Sequence, residues 1–479
     1  MNLLLATQLL GWLVTFVGLF QVVPIAAALL YGEPVEPYLV SAAAAIAVGL
    51  PIALGVRPES LRIRPRDGFL IVSLAWFLAS LFGAIPYVTT GVLAPGDALF
   101  ESISGFTTTG STVLLFIDGQ PKALLLWRSL TQWLGGMGII VFTVALMPLL
   151  GIGGMQLFKA EVTGPVKEKL RPRVAEAARR LWVIYVGLTA AEWLALQLAG
   201  MNAYDALCHS FSTLSTGGFS PRDGSLGAYD SAAIHWVVIV FMFLAGVNFV
   251  LHYRLLVGRG REVLRDTELR YYATLSLVVC VVLGITILRA ELYDTGNARI
   301  AAFQGISLLT GTGFATAHFE RWPSLALVII MWLMVLGGMA GSTCGGVKSL
   351  RVLLALKALR ASFSVVGHRN AVRPPVRFGG KPVSAEVLAG VWSFFAAYFL
   401  LVLVAACAVA VSGPDVVTSL SAALTAVGNV GPALGQIGPY DSFAGLPMGP
   451  KLFLGFCMLA GRLELFTLLV LFNPGFWRR

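Results

Sequence analysis

The chain has 479 residues, of which 57% are hydrophobic and only 12% are charged. A typical soluble domain is about 45–50% apolar and about 25% charged, so a soluble enzyme and a disordered protein are both excluded. The net charge of +10 would ordinarily suggest a nucleic-acid partner. A membrane protein, however, collects its Lys and Arg residues in the loops of one side, so no nucleic-acid partner is expected.

Ten apolar stretches are long enough to cross a bilayer, which needs about 20 apolar residues per helix. They lie at 3–31, 37–56, 68–91, 121–150, 180–200, 230–257, 270–290, 322–360, 385–412 and 450–473. Four shorter apolar stretches lie at 97–107, 205–215, 298–310 and 415–428. Because a short apolar stretch is typical of a re-entrant or buried segment, the predicted fold class is all-α integral membrane.

Basic residues concentrate in alternate loops. These loops lie at 57–66, 159–180, 254–270, 348–381 and 478–479. The intervening loops are mainly acidic, with residues such as Asp97, Asp205 and Asp415. Because Lys and Arg favour the cytoplasmic side, both termini are predicted to be cytoplasmic. The short re-entrant stretches then face the outside.

The four short stretches repeat one pattern, in which a hydroxyl residue stands six positions before a glycine. The pairs are Ser104 and Gly110, Ser212 and Gly218, Ser307 and Gly313, and Thr425 and Gly431. A span precedes and follows each copy, so the repeating unit is helix, re-entrant helix, extended strand, helix. The predicted divisions are an N-terminal transmembrane helix pair at 1–67 and four pseudosymmetric repeats at 68–155, 156–258, 259–362 and 363–479.

The extended strands combine glycine with threonine and contain no carboxylate. Non-helical backbone at membrane depth must be buried in protein or face a water-filled cavity. Four strands on one axis would present rings of carbonyl oxygens that replace the hydration shell of a monovalent cation. The alternative is four ordinary polar loops, which the fourfold alignment disfavours. The predicted cation ligands are Thr108, Thr109, Gly110, Thr216, Gly217, Gly218, Gly311, Thr312, Gly313, Asn429, Val430 and Gly431.

The run from Ser104 to Ser111 resembles the first selectivity filter of the Trk/Ktr/HKT superfamily of potassium transporters. Residues 212–220, 310–314 and 429–432 are similar to the second, third and fourth filters. The resemblance covers nearly the whole chain, and the extra N-terminal pair is similar to the Trk-type membrane subunit. It implies four repeats of helix, pore loop and helix around one pore, plus two N-terminal helices. A filter glycine in every repeat implies K⁺ as the transported ion.

A candidate gate interrupts the span at 322–360. Its residues are Gly337, Gly338, Gly341, Ser342, Thr343, Gly345 and Gly346. Each glycine costs a helix about 1 kcal/mol against alanine, so the composition predicts a break and a weakly held element. The resemblance implies a loop that blocks the pore from below. The other interpretation is a kink that packs against neighbouring helices.

Arg462 stands inside the last span, where a charged residue normally faces a cavity or a partner. Aligned glycines place it opposite Met137, Val247 and Met339, and the resemblance implies an electrostatic barrier below the filter. The other interpretation is a structural ion pair. Glu464 lies two positions on, too far around the helix to neutralise it directly. Glu192 and His209 have no partner that the sequence identifies, and a packing role is favoured for both.

Three functions remain open. The first is a potassium uptake channel or transporter, and the resemblance implies a homodimer in the bacterial inner membrane. It also implies a cytosolic, ring-forming, nucleotide-binding regulatory subunit (TrkA-like), docked on the basic loops at 159–180 and 351–381; the nucleotide would sit on that partner. The second is a sodium- or proton-coupled potassium symporter of the same fold. The third, an intramembrane serine protease using Ser342, needs a histidine base, but His252 and His318 are expected at opposite faces.

Overall fold

The structure, a computed structural model, describes residues 1–60, 64–145, 170–293, 296–364 and 374–478. Within these ranges the chain is helical apart from loops and one short hairpin, which pairs Arg377–Phe378 with Lys381–Pro382. Seven described helices are long and apolar enough to cross a membrane, and nine spans result if each of two bent helix pairs counts as one. The all-α membrane fold predicted from the sequence is confirmed.

The N-terminal pair precedes the repeats. Leu3–Phe20 continues into Val22–Tyr31 and packs against Glu36–Gly55. The two helices approach closely because Gly11 and Gly49 face one another, and a Cβ on either would lie within 3.0 Å of the other's carbonyl oxygen. Small residues at such crossings are typical of helix packing in membranes.

Each of the four repeats contains a long first helix, a short helix, an extended segment and a second helix. The first helices are Pro65–Gly83 (extended by Ile85–Thr89), Leu170–Leu198, Thr267–Arg289 and Ala385–Ala410. The short helices are Pro95–Phe106, Ala203–Leu214, Asn297–Thr310 and Val416–Gly428. The second helices are Lys122–Ala145, Ala232–Ala245, Ser324–Leu336 and Met448–Arg462. The predicted boundary between residues 155 and 156 lies outside the described residues.

Three of the second helices are interrupted. In repeat 2 the chain bends by 100° before Phe249–Leu256, and in repeat 4 it bends by 110° before Phe466–Phe472. In repeat 3 the helix ends at Leu336 and resumes as Ser349–Phe363. We call residues 337–348 the interrupting loop. The break predicted in this span is therefore confirmed, whereas the bends in repeats 2 and 4 were not anticipated.

Several short helices lie outside this repeated pattern, among them the 3₁₀ helices Ser225–Ala228, Phe319–Arg321, Gly435–Ile437 and Phe443–Gly445. Gly260–Leu264 joins repeat 2 to repeat 3, and Pro474–Trp477 lies near the C-terminus. The largest hydrophobic cluster contains residues from all four repeats, for example Phe100, Val247, Leu309 and Val430. The four extended segments are therefore enclosed by the packed helices of every repeat.

Candidate functional site

The four short helices begin differently but end in the same way. Asn202 and Asp415 cap two of them with side-chain oxygens, which accept from backbone N–H groups at 2.8 and 3.2 Å, and Pro95 stands in the first turn of another. At the other end, a residue with positive φ follows, and the next N–H bonds a carbonyl five residues back. These closing bonds are Thr109 to Ser104, Gly217 to Ser212, Thr312 to Ser307, and Val430 to Thr425, at 2.8–3.0 Å.

The repeated hydroxyl residues are those whose main-chain carbonyls accept the closing bonds. The hydroxyl groups of these four residues do not all form a hydrogen bond. Ser307 Oγ donates to the Phe314 carbonyl at 2.8 Å. The hydroxyls of Ser104, Ser212 and Thr425 are buried with no hydrogen-bond partner among the described residues.

The residue that turns the chain at each helix end adopts a left-handed conformation. It is Thr108 (φ 51°), Thr216 (φ 55°), Gly311 (φ 72°) or Asn429 (φ 52°). Threonine rarely adopts this conformation, which costs a non-glycine residue about 1–2 kcal/mol. Sequence reasoning missed this strain in repeats 1 and 2. The aligned Gly311 and Asn429, two residue types that favour positive φ, were the available signal.

The four extended segments close into a ring, and we call residues 108–110, 216–218, 311–313 and 429–431 the ring segments. The last glycine of each segment (Gly110, Gly218, Gly313 or Gly431), which we call the ring glycine, has positive φ, between 76° and 106°. A Cβ on any of them would lie within 3.0 Å of a carbonyl oxygen on the next segment. The four pairs, each given as the ring glycine and then the residue whose carbonyl it meets, are Gly110 and Gly217, Gly218 and Thr312, Gly313 and Val430, and Gly431 and Thr109. The contacts return to the first segment, so the four repeats enclose one axis.

The ring is suited to a cation. Each short helix directs its carboxyl end toward a ring segment, where its dipole places about half an elementary negative charge. The Thr108 hydroxyl is buried with no hydrogen-bond partner among the described residues, whereas two others are already bonded: Thr109 Oγ1 lies 2.8 Å from Thr107 Oγ1, and Thr312 Oγ1 lies 2.7 Å from Thr310 Oγ1. The main-chain carbonyls, rather than these two bonded hydroxyls, are therefore available as ligands.

The interrupting loop packs against the ends of neighbouring repeats. Met339 N donates to the Gly246 carbonyl at 2.9 Å, and Phe249 N donates to the Gly341 carbonyl at 3.1 Å. Thr343 Oγ1 donates to the Leu214 carbonyl at 3.0 Å, at the end of the second short helix. The loop is thus densely bonded, although its composition predicted a weakly held element. The difference arises because positive φ at Gly341 places the backbone against Asn248 of repeat 2, while positive φ at Gly337 and Gly346 packs the two ends of the loop against each other.

Charged side chains flank the loop. The Ala340 N–H donates to Glu268 Oε1 at 2.7 Å. Arg351, just past the loop, forms a buried ion pair with Glu464 at the bend of repeat 4. The guanidinium of Arg351 also lies 4.0 Å from the ring centre of Phe394. These contacts connect the two ends of the loop to the first helix of repeat 3 and to both long helices of repeat 4.

Arg462 is only 2% exposed and reaches the interrupting loop directly. Its Nη1 donates to the Thr343 carbonyl at 2.6 Å, and its Nη2 donates to the Gly135 carbonyl at 3.3 Å. Among the described residues it forms no ion pair, so its charge is satisfied by backbone oxygens. Glu464 pairs with Arg351 instead.

The packing contacts of Gly461 align Arg462 with a residue of repeat 1 that is one position earlier than the sequence alignment predicted. Gly461 lies against the Val427 carbonyl, four positions before its ring glycine, and Gly135 lies against the equivalent Phe106 carbonyl. Gly461 therefore matches Gly135, and Arg462 matches Gly136 rather than Met137.

Two buried polar residues behave differently. His209 is satisfied: Nδ1 donates to the Asp205 carbonyl at 2.7 Å, and Nε2 lies 3.1 Å from Ser220 Oγ. Glu192 is fully buried and forms no ion pair among the described residues. A protease dyad receives no support, because Ser342 Oγ donates to the Met339 carbonyl and His252 Nε2 bonds the Leu244 carbonyl.

Sequence reasoning overlooked a buried charge beside the ring. Arg128 lies inside the second helix of repeat 1, 2% exposed, and its Nε is 2.7 Å from Glu101 Oε1 on the first short helix. The signal was an ionisable residue within an apolar span, which is expensive unless it is paired.

Comparison with known proteins agrees with this architecture. The family described as TrkH, cation transport protein, matches residues 41–478. The chain is 40% identical to the Trk system potassium uptake protein TrkH of Salmonella typhimurium, covering 98% of this chain and 99% of that one. It is 39% identical to the protein of the same name from Halomonas elongata, over the full length of both.

A solved structure shares the fold. The crystal structure of the potassium transporter TrkH from Vibrio parahaemolyticus superposes with a TM-score of 0.92, at 35% identity and with both chains fully covered. Full-length similarity at this level, together with the ring geometry, excludes the enzymatic interpretation. The chain belongs to the TrkH family of cation transport proteins.

Proposed function

We propose that this chain takes up potassium across the bacterial inner membrane through the ring. The similar proteins from Salmonella typhimurium and Halomonas elongata are named potassium uptake proteins. The single observation that carries the proposal is the closed circuit of glycine-to-carbonyl contacts around one axis. Rings of backbone carbonyls replace the hydration shell of K⁺, and the circuit brings one carbonyl from each repeat to the same level.

The twelve residues of the ring segments form the proposed filter. The carbonyls of Thr109, Gly217, Thr312 and Val430 are the ligands of one level, because each is contacted by a ring glycine of the preceding segment. The absence of carboxylates in these segments favours a weakly hydrated monovalent ion over a divalent one. Any side chain in place of a ring glycine would displace these oxygens.

The interrupting loop and Arg462 form the proposed gate. The loop contacts repeats 2 and 4, and Arg462 connects it to repeat 1. Since the loop directly follows the second helix of repeat 3, it lies where the four repeats meet. A guanidinium at this level repels cations that leave the ring, so the gate opens when the loop and Arg462 separate.

The remaining assignments follow the family resemblance and the charge pattern. We propose a homodimer with cytoplasmic termini and a cytosolic ring-forming regulatory subunit that binds the gating nucleotide. A cavity of about 180 Å³ is lined by Met339 of the interrupting loop, by three basic side chains (Arg254, Arg265 and Lys381) and by three acidic ones (Glu262, Asp266 and Glu268). A regulator docked at this cavity of mixed charge would therefore be close to the gate. Residues 159–169 of the first basic stretch and 365–373 of the second lie outside the described residues.

Cation flux into proteoliposomes tests the proposal. The purified chain and an Arg462→Ala variant are compared in gradients of K⁺, Rb⁺, Na⁺ and Li⁺, with and without a proton gradient. We expect K⁺ and Rb⁺ to pass while Na⁺ and Li⁺ do not, with faster flux in the variant. Equal Na⁺ flux would contradict the filter. K⁺ flux that requires a Na⁺ or proton gradient would instead establish symport.

A further inference from the structure

The second helix of repeat 1 is unlike the other spans. In its most apolar stretch 78% of the residues are buried, compared with 28–44% in the other six straight spans. It nevertheless carries a buried polar face, formed by Arg128, Ser129, Thr131 and Gln132. A charged residue in a membrane-spanning helix is expensive and is normally paired, so this face requires a structural reason.

Arg128 joins the first two ring segments through Glu101. The Arg128 Nη1 donates to the Ser220 carbonyl at 2.9 Å, two residues past the second segment. The Arg128 guanidinium also lies over the phenyl group of Phe219, with its central carbon 3.6 Å from the centre of that group. Glu101 Oε2 accepts from the Val113 N–H at 2.8 Å, three residues past the first segment. One ion pair therefore fixes the same end of both segments.

Gln132 holds the second segment from the same helix. It lies four residues after Arg128, so the two side chains share one helix face. Its Nε2 donates to the Gly217 carbonyl at 2.6 Å, and its Oε1 accepts from the Phe219 N–H at 3.0 Å. Gly217 provides one of the four carbonyls that the ring glycines contact.

One aligned position in the short helices gives less polar support to the ring segments from repeat 1 to repeat 4. The position nine residues before the ring glycine is Glu101, His209, Gln304 or Ala422 in repeats 1 to 4. Glu101 forms the ion pair, and His209 bonds Ser220. The Gln304 amide is fully buried with no hydrogen-bond partner among the described residues, and Ala422 has no polar side-chain group. At this position the polar support lies between repeats 1 and 2, whereas segments 1 and 4 are joined by Ser111 Oγ, which donates to the Gly431 carbonyl, and by Asn429 Nδ2, which donates to Thr109 Oγ1, both at 2.9 Å.

We propose that Glu101, Arg128 and Gln132 are positioning residues that set the spacing of the first two ring segments and thereby the preference for K⁺ over Na⁺. The inference rests on the proposed function of the ring. None of the three side chains needs to touch the ion. They act through the main chain of residues 113, 217, 219 and 220, and without them two of the four segments can relax toward the smaller ion.

Paired Rb⁺ and Na⁺ fluxes of the full chain in proteoliposomes test this proposal. The variants are Glu101→Gln, Arg128→Met, the double substitution and Gln132→Met. We expect the Rb⁺/Na⁺ flux ratio to fall about tenfold in the ion-pair variants, equivalent to about 1.4 kcal/mol in relative barrier height. A smaller fall in the ratio is expected for Gln132→Met. This variant leaves no unpaired charge buried, so it still tests the proposal if Glu101→Gln and Arg128→Met do not fold.

The matched control is Lys451→Met. Lys451 Nζ forms a largely buried ion pair with Asp97 at 2.6 Å, on the same short helix as Glu101 but about one turn farther from the ring segments. We expect an unchanged flux ratio in this control. An unchanged ratio in folded Gln132→Met and ion-pair variants, or an equal fall in the control, overturns the inference. A wild-type chain that does not discriminate between Rb⁺ and Na⁺ overturns the proposed function instead.

Discussion

The ring segments and the interrupting loop are both glycine-rich backbone within a helical protein, yet they are stabilised differently. The ring is built four times from one motif, with the same closing bond in every repeat. The interrupting loop exists once, and its contacts go to groups that differ in each repeat. The ring is therefore built from one repeated bond, whereas the loop is held by several different contacts, each of which a single substitution can remove.

The largest expected effect comes from changing a ring glycine. Gly218→Ala places a Cβ against the Thr312 carbonyl at a position with φ of 76°, so the ring cannot close without displacing a ligand. We expect K⁺ uptake to be lost. Gly187→Ala is the matched control, because Gly187 is helical and a Cβ there meets nothing within 4 Å. Normal Rb⁺ uptake by Gly218→Ala would show that the ring is not the path.

Arg462→Ala tests the loop. The substitution removes the donors to Thr343 and Gly135 together with a buried positive charge. We expect resting K⁺ leak to rise several-fold while the Rb⁺/Na⁺ flux ratio is retained, because the ring itself is untouched. Leak that stays at the wild-type rate at equal protein level would remove Arg462 from the gate, and a lost flux ratio would mean that loop and ring are not separable.

A smaller effect is expected from Arg351→Met, which breaks the ion pair with Glu464. Removing one member of a buried pair costs about 3–5 kcal/mol, so both a lower unfolding temperature and a modest rise in leak are expected. The pair between Arg180 and Glu176, with side chains 50% and 59% exposed, is the control. Such exposed pairs contribute about 0–1 kcal/mol. Equal destabilisation by Arg180→Met would contradict the assignment.

The smallest effect concerns the acidic end of the second short helix. Burial raises the pKa of Asp205, but hydrogen bonds from Tyr229, Arg222 and Asn202 outweigh it and lower the pKa overall. Asp205 therefore contributes stability above its unfolded pKa of about 3.9, and this contribution is lost as pH falls through the lower folded value. Thermal unfolding across pH 3–7 should show the decline. Asp205→Asn should flatten it, and an unchanged slope would contradict the assignment.

The sequence predicts those parts of the fold that recur in all four repeats and the part whose glycine content disfavours a continuous helix. The fourfold alignment identified all four ring glycines, and the glycine content of residues 337–346 located the break after Leu336. Local composition does not predict the bends of 100° and 110° in repeats 2 and 4. These bends depend on packing between repeats.

The residues that sequence reasoning missed are defined by partners distant along the chain. The role of Arg128 is defined by its contacts with Glu101, 27 positions away, and with Ser220, 92 positions away. The register of Arg462 likewise follows from the contact of Gly461 with Val427. The contact of Arg128 with Ser220 depends on which repeat becomes the neighbour. The contacts of Arg128 with Glu101 and of Gly461 with Val427 lie within one repeat and depend on how its short helix packs against its second helix.

The most direct test of the central claim is to locate the ion. Crystals of the chain grown in Rb⁺ would be measured at the rubidium absorption edge, with matched crystals in Na⁺. The account predicts an anomalous peak on the ring axis at the carbonyls of Thr109, Gly217, Thr312 and Val430, which K⁺ abolishes by competition. Rb⁺ bound elsewhere, with no peak on this axis, would contradict the proposal that these four carbonyls select potassium.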